Sequence, residues 1–358
     1  SLPHVCFMAT SLPPVLGFGI IGSGMIADFH AQAITHARGA RLVGVASRNE
    51  TSARELAARH GADFATGDLA SLLSRPDLHV VCVTTPSGAH LEPALAAIRA
   101  GKHLVIEKPI EITTARADEI IAAAAQAGVH ITPIFQSRFG RGARTVKAAI
   151  EAGRLGRLVL ASAYVKWHRP ASYYTGWKGT LALDGGGAVI NQSIHGLDLL
   201  QWFAGLPAEV YAQTTRRVHL GIEAEDTASA VLRYPCGALG AFEATTAAWP
   251  GWSRRIELCG DQGSVCLEDD QITRWDFREE RPEDASIRTA PPDTALRSGA
   301  GAAHAISHEG HLRQIQDLID ALQSGRKPAI EGREARHAVA LVNAIYQSAA
   351  TGRTVNVT

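Results

Sequence analysis

Val15 to Ile21 is a short apolar run closed by Gly22 and Gly24. A run of this length, bounded by a glycine turn, predicts a strand buried on both faces. Helical spacing of apolar residues follows over Met25–Ala37. The alternation then repeats. Strands are predicted over Leu42–Ala46, Val80–Val83, Leu104–Ile106 and Ile131–Phe135, and helices over Thr51–His60, His90–Ala100 and Thr114–Gln126. Buried strands separated by helices form parallel crossovers, so this half predicts a Rossmann-type, doubly wound parallel sheet.

The rhythm changes after Gly140. A helix over Thr145–Glu151 precedes a strand over Leu158–Val165, a loop rich in Tyr, Trp and Gly, and a helix over Ala188–Phe203. Strands then follow one another directly: Glu209–Val218, Thr227–Tyr234, Leu239–Thr246, Ile256–Cys259 and Ser264–Glu268. Turns such as Pro235-Cys236-Gly237 between them predict a large, mostly antiparallel open sheet in a C-terminal α/β domain. Residues 279–303 are polar and aperiodic, which reads as a long surface loop, and helices over Ile306–Gln323 and Arg333–Ala350 close the chain. The 358 residues exceed one ordinary core. The expected division is 15–137 and 138–358, with the last helices free to pack back on the first domain.

Composition narrows the function classes. Hydrophobic residues are 46% and charged residues 20%, and the formal net charge is zero. No Lys/Arg tract offers a basic arm, so nucleic acid is not an expected partner. No run approaches the ~18 apolar residues of a membrane span, and Ser1–Pro14 lacks the pattern of a signal peptide and reads as a flexible extension. Cys6, Cys82, Cys236, Cys259 and Cys266 include no CxxC pair. An odd count without that spacing suits a reducing cytoplasm better than a disulfide framework.

The first glycine turn carries chemistry. Gly22-Ser23-Gly24-Met25-Ile26-Ala27 lies between a predicted strand and a predicted helix. The first Gly permits the tight turn, the second admits a pyrophosphate against the backbone, and the small Ala lets helix and strand pack closely. The helix N-terminus adds free N–H groups and a partial positive charge. NAD enzymes usually place an acid ~20 positions on, at the end of the second strand, to hold the ribose hydroxyls. Here Ser47 and Arg48 hold that place. Ser47 does not repel a 2′-phosphate and Arg48 can pair with one. NADP(H) is favoured and NAD(H) stays open, since Arg48 can also be a solvated surface residue.

With these residues in view the chain resembles the glucose–fructose oxidoreductase / inositol dehydrogenase (Gfo/Idh/MocA) family. The resemblance rests on the glycine turn, on Thr85-Pro86 with His90, and on Glu107-Lys108-Pro109. Further along it rests on Gly185-Gly186-Gly187 with Asn191, His195 and Asp198, and on Ala344-Ile345-Tyr346-Gln347-Ser348-Ala349. It implies a Rossmann domain joined to an open-sheet domain that commonly mediates oligomers, here a homodimer or homotetramer. It also implies hydride transfer between nicotinamide and a secondary alcohol or ketone of a sugar, including nucleotide-linked sugars. Two other outcomes stay open: a glycosidase that keeps NAD bound, and a non-catalytic cofactor-sensing regulator.

The candidate catalytic groups are Lys108 and His195. Lys108 follows a parallel strand, where open α/β sheets place their ligand crevice. Removing a hydride from a carbinol also requires a group that takes the hydroxyl proton, which suits an imidazole or a depressed lysine. Asn191, His195 and Asp198 recur at helical spacing and are expected on one face, opposite Ile190, Ile194 and Leu197. Many family members have Asp where Asn191 stands, and Asn orients by hydrogen bonds without sharing a proton. The resemblance implies that Thr84, Thr85, Pro86, His90, Glu107 and the pair Trp177-Lys178 lie against the cofactor, while His90 can instead cap the helix start and Trp177 can be core. Gln136 and Arg138 are expected to face the cleft and bind substrate hydroxyl or anionic groups. His304, His308 and His311 invite a metal, but without a third ligand type and supporting residues they read as solvated surface, with His311 alone in reach of the substrate. No metal is expected.

Overall fold

The computed structural model describes residues 12–291, 293, 296, 300 and 307–358. The N-terminal half runs β1 (Leu16–Ile21), α1 (Met25–His36), β2 (Ala40–Ala46), α2 (Glu50–Arg59), β3 (Ala65–Thr66), α3 (Leu69–Leu73), β4 (Val80–Val83), α4 (Leu91–Arg99), β5 (His103–Ile106), α5 (Thr114–Ala127) and β6 (Ile131–Pro133). Its six strands are all parallel, in the order β3-β2-β1-β4-β5-β6. Strand order reverses between β1 and β4, which opens a crevice at their C-terminal ends. Every residue of β1 and β4 is buried, as their continuous apolar runs require. The short β3 and α3 escape the sequence pattern because they span only two and five residues.

The second half runs α6 (Arg141–Glu151), β7 (Leu158–Lys166), α7 (Ile194–Ala204), β8 (Glu209–Thr215), β9 (Thr227–Arg233), β10 (Leu239–Thr245), β11 (Arg255–Gly260), β12 (Gly263–Glu268), β13 (Gln271–Phe277), α8 (Asp284–Arg288), α9 (Glu309–Ser324), α10 (Gly332–Thr351) and β14 (Val355–Asn356). Eight strands form one sheet, β13-β12-β11-β7-β10-β9-β8-β14, antiparallel except where β7 meets β10. Strands β8 and β9 alternate buried and exposed residues, so one face packs inward and the other stays open.

Three expectations change. The helix over Ala188–Phe203 is two pieces: Ala188–Gln192 winds as a wide π-type turn, and α7 begins after Ser193. The Glu225 carboxylate accepts from the Gly187 and Val189 N–H groups (3.1 and 2.8 Å), and Ser193 Oγ donates to the Ala188 carbonyl at 2.7 Å. These bonds hold a geometry that a regular helix would not. The stretch 279–303 is not wholly a surface loop either. Within α8, Asp284 is fully buried and accepts from Arg154 (2.7 and 2.8 Å) and from the Trp275 indole (2.6 Å). Much of that stretch, Ile306 and most of Ser1–Pro14 lie outside the described residues. Finally, β13 and β14 are additional strands.

The C-terminal helices reach both sheets. Ile315, Leu318 and Ile319 of α9 share a core with Leu16, Phe18, Ile20, Ala31 and Ile34 of β1 and α1. Gln314 accepts from the Phe135 N–H at 3.0 Å and donates to the Pro133 carbonyl at 2.7 Å, tying α9 to the end of β6. Among the described residues no helix is long and apolar enough to cross a membrane.

Candidate active site

A cleft of about 980 Å³ opens where β1 and β4 end and extends to the second sheet. Its first wall is the glycine turn. Gly22 has φ +107°, and a Cβ there would meet Thr84 Oγ1 at 2.7 Å, so only glycine fits. A Cβ on Gly24 would meet no atom within 4 Å and would project into open space. No side chain caps the start of α1. The turn therefore presents free backbone donors and room beside them, the arrangement a dinucleotide pyrophosphate needs. Ser23, Met25, Ile26, Ser47 and Arg48 border the same space. Ser23 Oγ donates to Ser47 Oγ at 2.8 Å, and Arg48 is exposed at the rim.

The loops after β4 and β5 complete this wall with Thr84, Thr85, Pro86, His90, Glu107 and Lys108. His90 does not cap α4 with its side chain. Its Nδ1 lies 2.9 Å from the Pro109 carbonyl and its Nε2 3.0 Å from the Thr85 carbonyl. The ring thus ties the two loops together. Burial is the main cause holding its pKa below the usual histidine value.

The opposite wall brings His195 and Asn191 to Lys108. Lys108 Nζ donates to the Asn191 carbonyl at 2.6 Å. Burial lowers its pKa, against the pull of Glu107 and Asp184. The His195 ring stands edge-on to Phe135, 5.7 Å between centroids, and its Nδ1 has no hydrogen-bond partner. Burial, then the charges of Lys108 and Arg254, hold its pKa well below the usual value. Asn191 Oδ1 accepts from Gln192 Nε2 at 2.6 Å, and its Nδ2 donates to Asp184. Burial pushes the Asp184 carboxyl up to about 6, although the Gly179 N–H and Asn191 stabilise its charge. Trp177 and Lys178 also border the cleft, with Lys178 Nζ 3.8 Å above the Tyr173 ring.

Residues 16–135 match the model of the oxidoreductase family with an NAD-binding Rossmann fold, and residues 143–266 match the GFO/IDH/MocA C-terminal domain. The chain belongs to the Gfo/Idh/MocA oxidoreductase family. The WlbA dehydrogenase from Bordetella pertussis, solved with NADH and UDP-GlcNAcA, is 31% identical, with TM-score 0.85 over 96% of this chain and 99% of that one. The 1,5-anhydro-D-fructose reductase of Ensifer adhaerens is 28% identical, over 95% of this chain and 98% of its own. Myo-inositol 2-dehydrogenase of Thermotoga maritima is 26% identical, over 94% and 97%. This Gfo/Idh/MocA chain is an NAD-binding oxidoreductase.

Within the family frame, one expected substrate contact lies elsewhere. Arg138 does not border the cleft. It donates to both Asp198 oxygens (2.8 and 2.7 Å) and to Glu334 (2.8 Å), and Asp198 is fully buried. Asp198 therefore turns away from the face of His195, because a buried carboxylate needs a counter-charge and Arg138 supplies one. Gln136 does line the cleft.

His311 is not solvated surface. It is buried, and its Nε2 lies 3.1 Å from Glu107 Oε1, while His30 Nε2 reaches the same oxygen at 2.8 Å. His308 points away and stacks near His36, 5.1 Å between ring centroids. His304 lies outside the described residues. The donor atoms of His30, Glu107 and His311 fall within 4.8 Å of one another, the spacing of a metal site. Both imidazoles converge on one oxygen, however, and both Nδ1 atoms lack a partner. Metal-bound histidines nearly always bond through their second nitrogen, so the arrangement is a hydrogen-bonded carboxylate. Its Glu107 is held well below the usual carboxylate range by the two histidines, against burial.

Sequence reasoning missed His30, Asp184, Arg169, Tyr173, Gln192 and Arg254. His30 pairs with a residue 77 positions away, and no local spacing announces that. Asp184 directly precedes the triple glycine, which is the one signal that marked its neighbourhood.

Proposed function

We propose that this cleft carries out reversible hydride transfer at a secondary hydroxyl of a sugar or sugar derivative, with Lys108 and His195 as the groups at the reacting oxygen. The observation that carries the reading is the meeting of these two side chains in the cleft that holds the glycine turn, neither of them paired with a carboxylate among the described residues. A nicotinamide bound along that turn would take up the hydride in oxidation. His195 starts neutral, because its pKa is depressed, and so can take the hydroxyl proton. Lys108 donates a hydrogen bond to the oxygen and stabilises the charge that develops there. Asn191, Gln136 and His311 orient the sugar; Thr84, Thr85, Pro86, His90, Glu107, Trp177 and Lys178 surround the cofactor. The relatives solved or named with sugars and NADH support the substrate class.

Ser47 and Arg48 favour NADP(H) over NAD(H) on the argument of charge. The open face of the second sheet favours a homo-oligomer. The division into 15–137 and 138–358 follows the two sheets.

Lys108→Ala decides the central claim. In a sugar panel followed at 340 nm, kcat should fall by about 10² or more while the NAD(P)H dissociation constant stays near wild type. Wild-type kcat in this variant would refute the catalytic assignment.

A further inference from the structure

The wall of the cleft that comes from the second sheet carries positive charge that, among the described residues, pairs with no carboxylate. Arg169 is 2% exposed. Its guanidinium donates to the His168 carbonyl (2.8 Å), the Ala300 carbonyl (3.3 Å) and Gln192 Oε1 (2.7 Å), all neutral acceptors. The Trp167 and Tyr173 rings flank it at 5.0 and 5.4 Å. Arg254 is 5% exposed and donates to Ser137 Oγ and to the Asp269 carbonyl, both at 3.2 Å. The Nε of each arginine has no partner. Both side chains border the cleft.

The acids nearby are committed elsewhere. Asp269 accepts from the Arg254 backbone N–H at 3.1 Å, and Asp270 accepts from the Gly142 and Ala143 N–H groups at 3.1 and 2.9 Å. Asp198 belongs to Arg138. Among the described residues no carboxylate pairs with Arg169 or Arg254 within 4.0 Å, nor with Lys108 or Lys178. Arg138 and Arg154, whose side chains are as well covered, each hold a carboxylate by two bonds. The contrast extends to protonation. Burial is the largest influence on Arg138 and would lower its pKa, yet the two acids raise it, and Asp284 raises that of Arg154, whereas burial lowers those of Arg169 and Arg254. Isolated buried cations are costly unless a partner arrives.

We infer that Arg169 receives an oxyanion carried by the sugar, so that the enzyme takes an acidic sugar in preference to a neutral one. The inference rests on the proposed hydride transfer for its sugar. A guanidinium held only by neutral acceptors binds a carboxylate or a phosphate through charge-assisted hydrogen bonds. The flanking Trp167 and Tyr173 rings restrict the guanidinium plane, which lowers the entropy lost on binding. A ring carboxylate and an anomeric phosphate share this chemistry, and the test separates them.

Calorimetric titration of the NADH-saturated protein with D-glucuronate, D-glucose 1-phosphate and D-glucose gives the answer without requiring turnover. At least one acid should bind about tenfold or more tighter than glucose, and the tighter of the two assigns the anion. In Arg169→Gln that advantage should collapse. Equal affinity for all three sugars, no measurable binding of either acid, or an acid preference that survives in Arg169→Gln would overturn the inference. If the variant fails to fold, the wild-type comparison alone still decides. Acid preference without NAD(P)+ reduction would defeat the proposed hydride transfer and leave the anion site standing. Turnover of glucose without acid preference would do the reverse.

Discussion

The base role we propose for His195 rests on its surroundings. Burial, Lys108 and Arg254 all disfavour its cation, so the free enzyme holds it neutral across the neutral range. Oxidation needs the neutral ring; its kcat/KM should stay level as pH falls from 8 and drop only below the usual histidine pKa of about 6.5. Reduction needs the charged ring and should gain rate in the same acidic window. His195→Asn should remove this limb and lower kcat by about 10²–10⁴. An unchanged profile would assign proton transfer to Lys108 alone. Arg48 makes a second residue-scale prediction. It is exposed at the rim, and no acid occupies the place of Ser47 beside it. Arg48→Ala should weaken NADPH much more than NADH in a fluorescence titration, each tenfold of lost discrimination being about 1.4 kcal/mol. Equal loss for both cofactors would remove the case for NADP(H).

Between elements, ion pairs decide which polar residues reach the cleft. Arg138 and Asp198 both come from stretches that the sequence marks as lining the site, yet they lock the turn Gln136–Phe139, just ahead of α6, to α7. Arg138→Met would leave Asp198 fully buried with, among the described residues, only Gln201 Nε2 as a side-chain donor, at 3.2 Å. Stability in urea should fall by about 3–5 kcal/mol, the usual cost of an uncompensated buried charge, while the folded variant still binds NADH. A loss below about 1 kcal/mol would show that the pair is dispensable. The break before α7 has a similar origin. Glu225 and Tyr346, from distant parts of the chain, hold the turn at Gly187–Ile190, and that turn places the Asn191 carbonyl against Lys108.

At the scale of the whole molecule, the described residues leave one sheet face uncovered. Tyr211, Val231 and Leu239 are 42%, 56% and 48% exposed, and Tyr211 pairs with Val231 in register. Helices α7 and α10 pack on the other face. An apolar patch of adjacent strands favours a second copy of the chain. Val231→Asp should shift the mass in light scattering from an oligomer to the monomer without altering NADH affinity. A wild-type monomer at micromolar concentration would refute the interface.

The central strands of both sheets, the glycine turn and the places of Lys108 and His195 at strand and helix ends are legible in the sequence, whereas β3, β13 and β14 are not. These signals are local: continuous apolar runs, a strand–turn–helix junction, and motifs a few residues long. Tertiary structure alone decided which charged residues face the cleft. Arg138 left it for Asp198, His311 entered it for Glu107, and Arg169 and Arg254 arrived there without acid partners. The physical reason is that a buried charge is placed by the partner it finds, and that partner is often a hundred residues or more away in the chain.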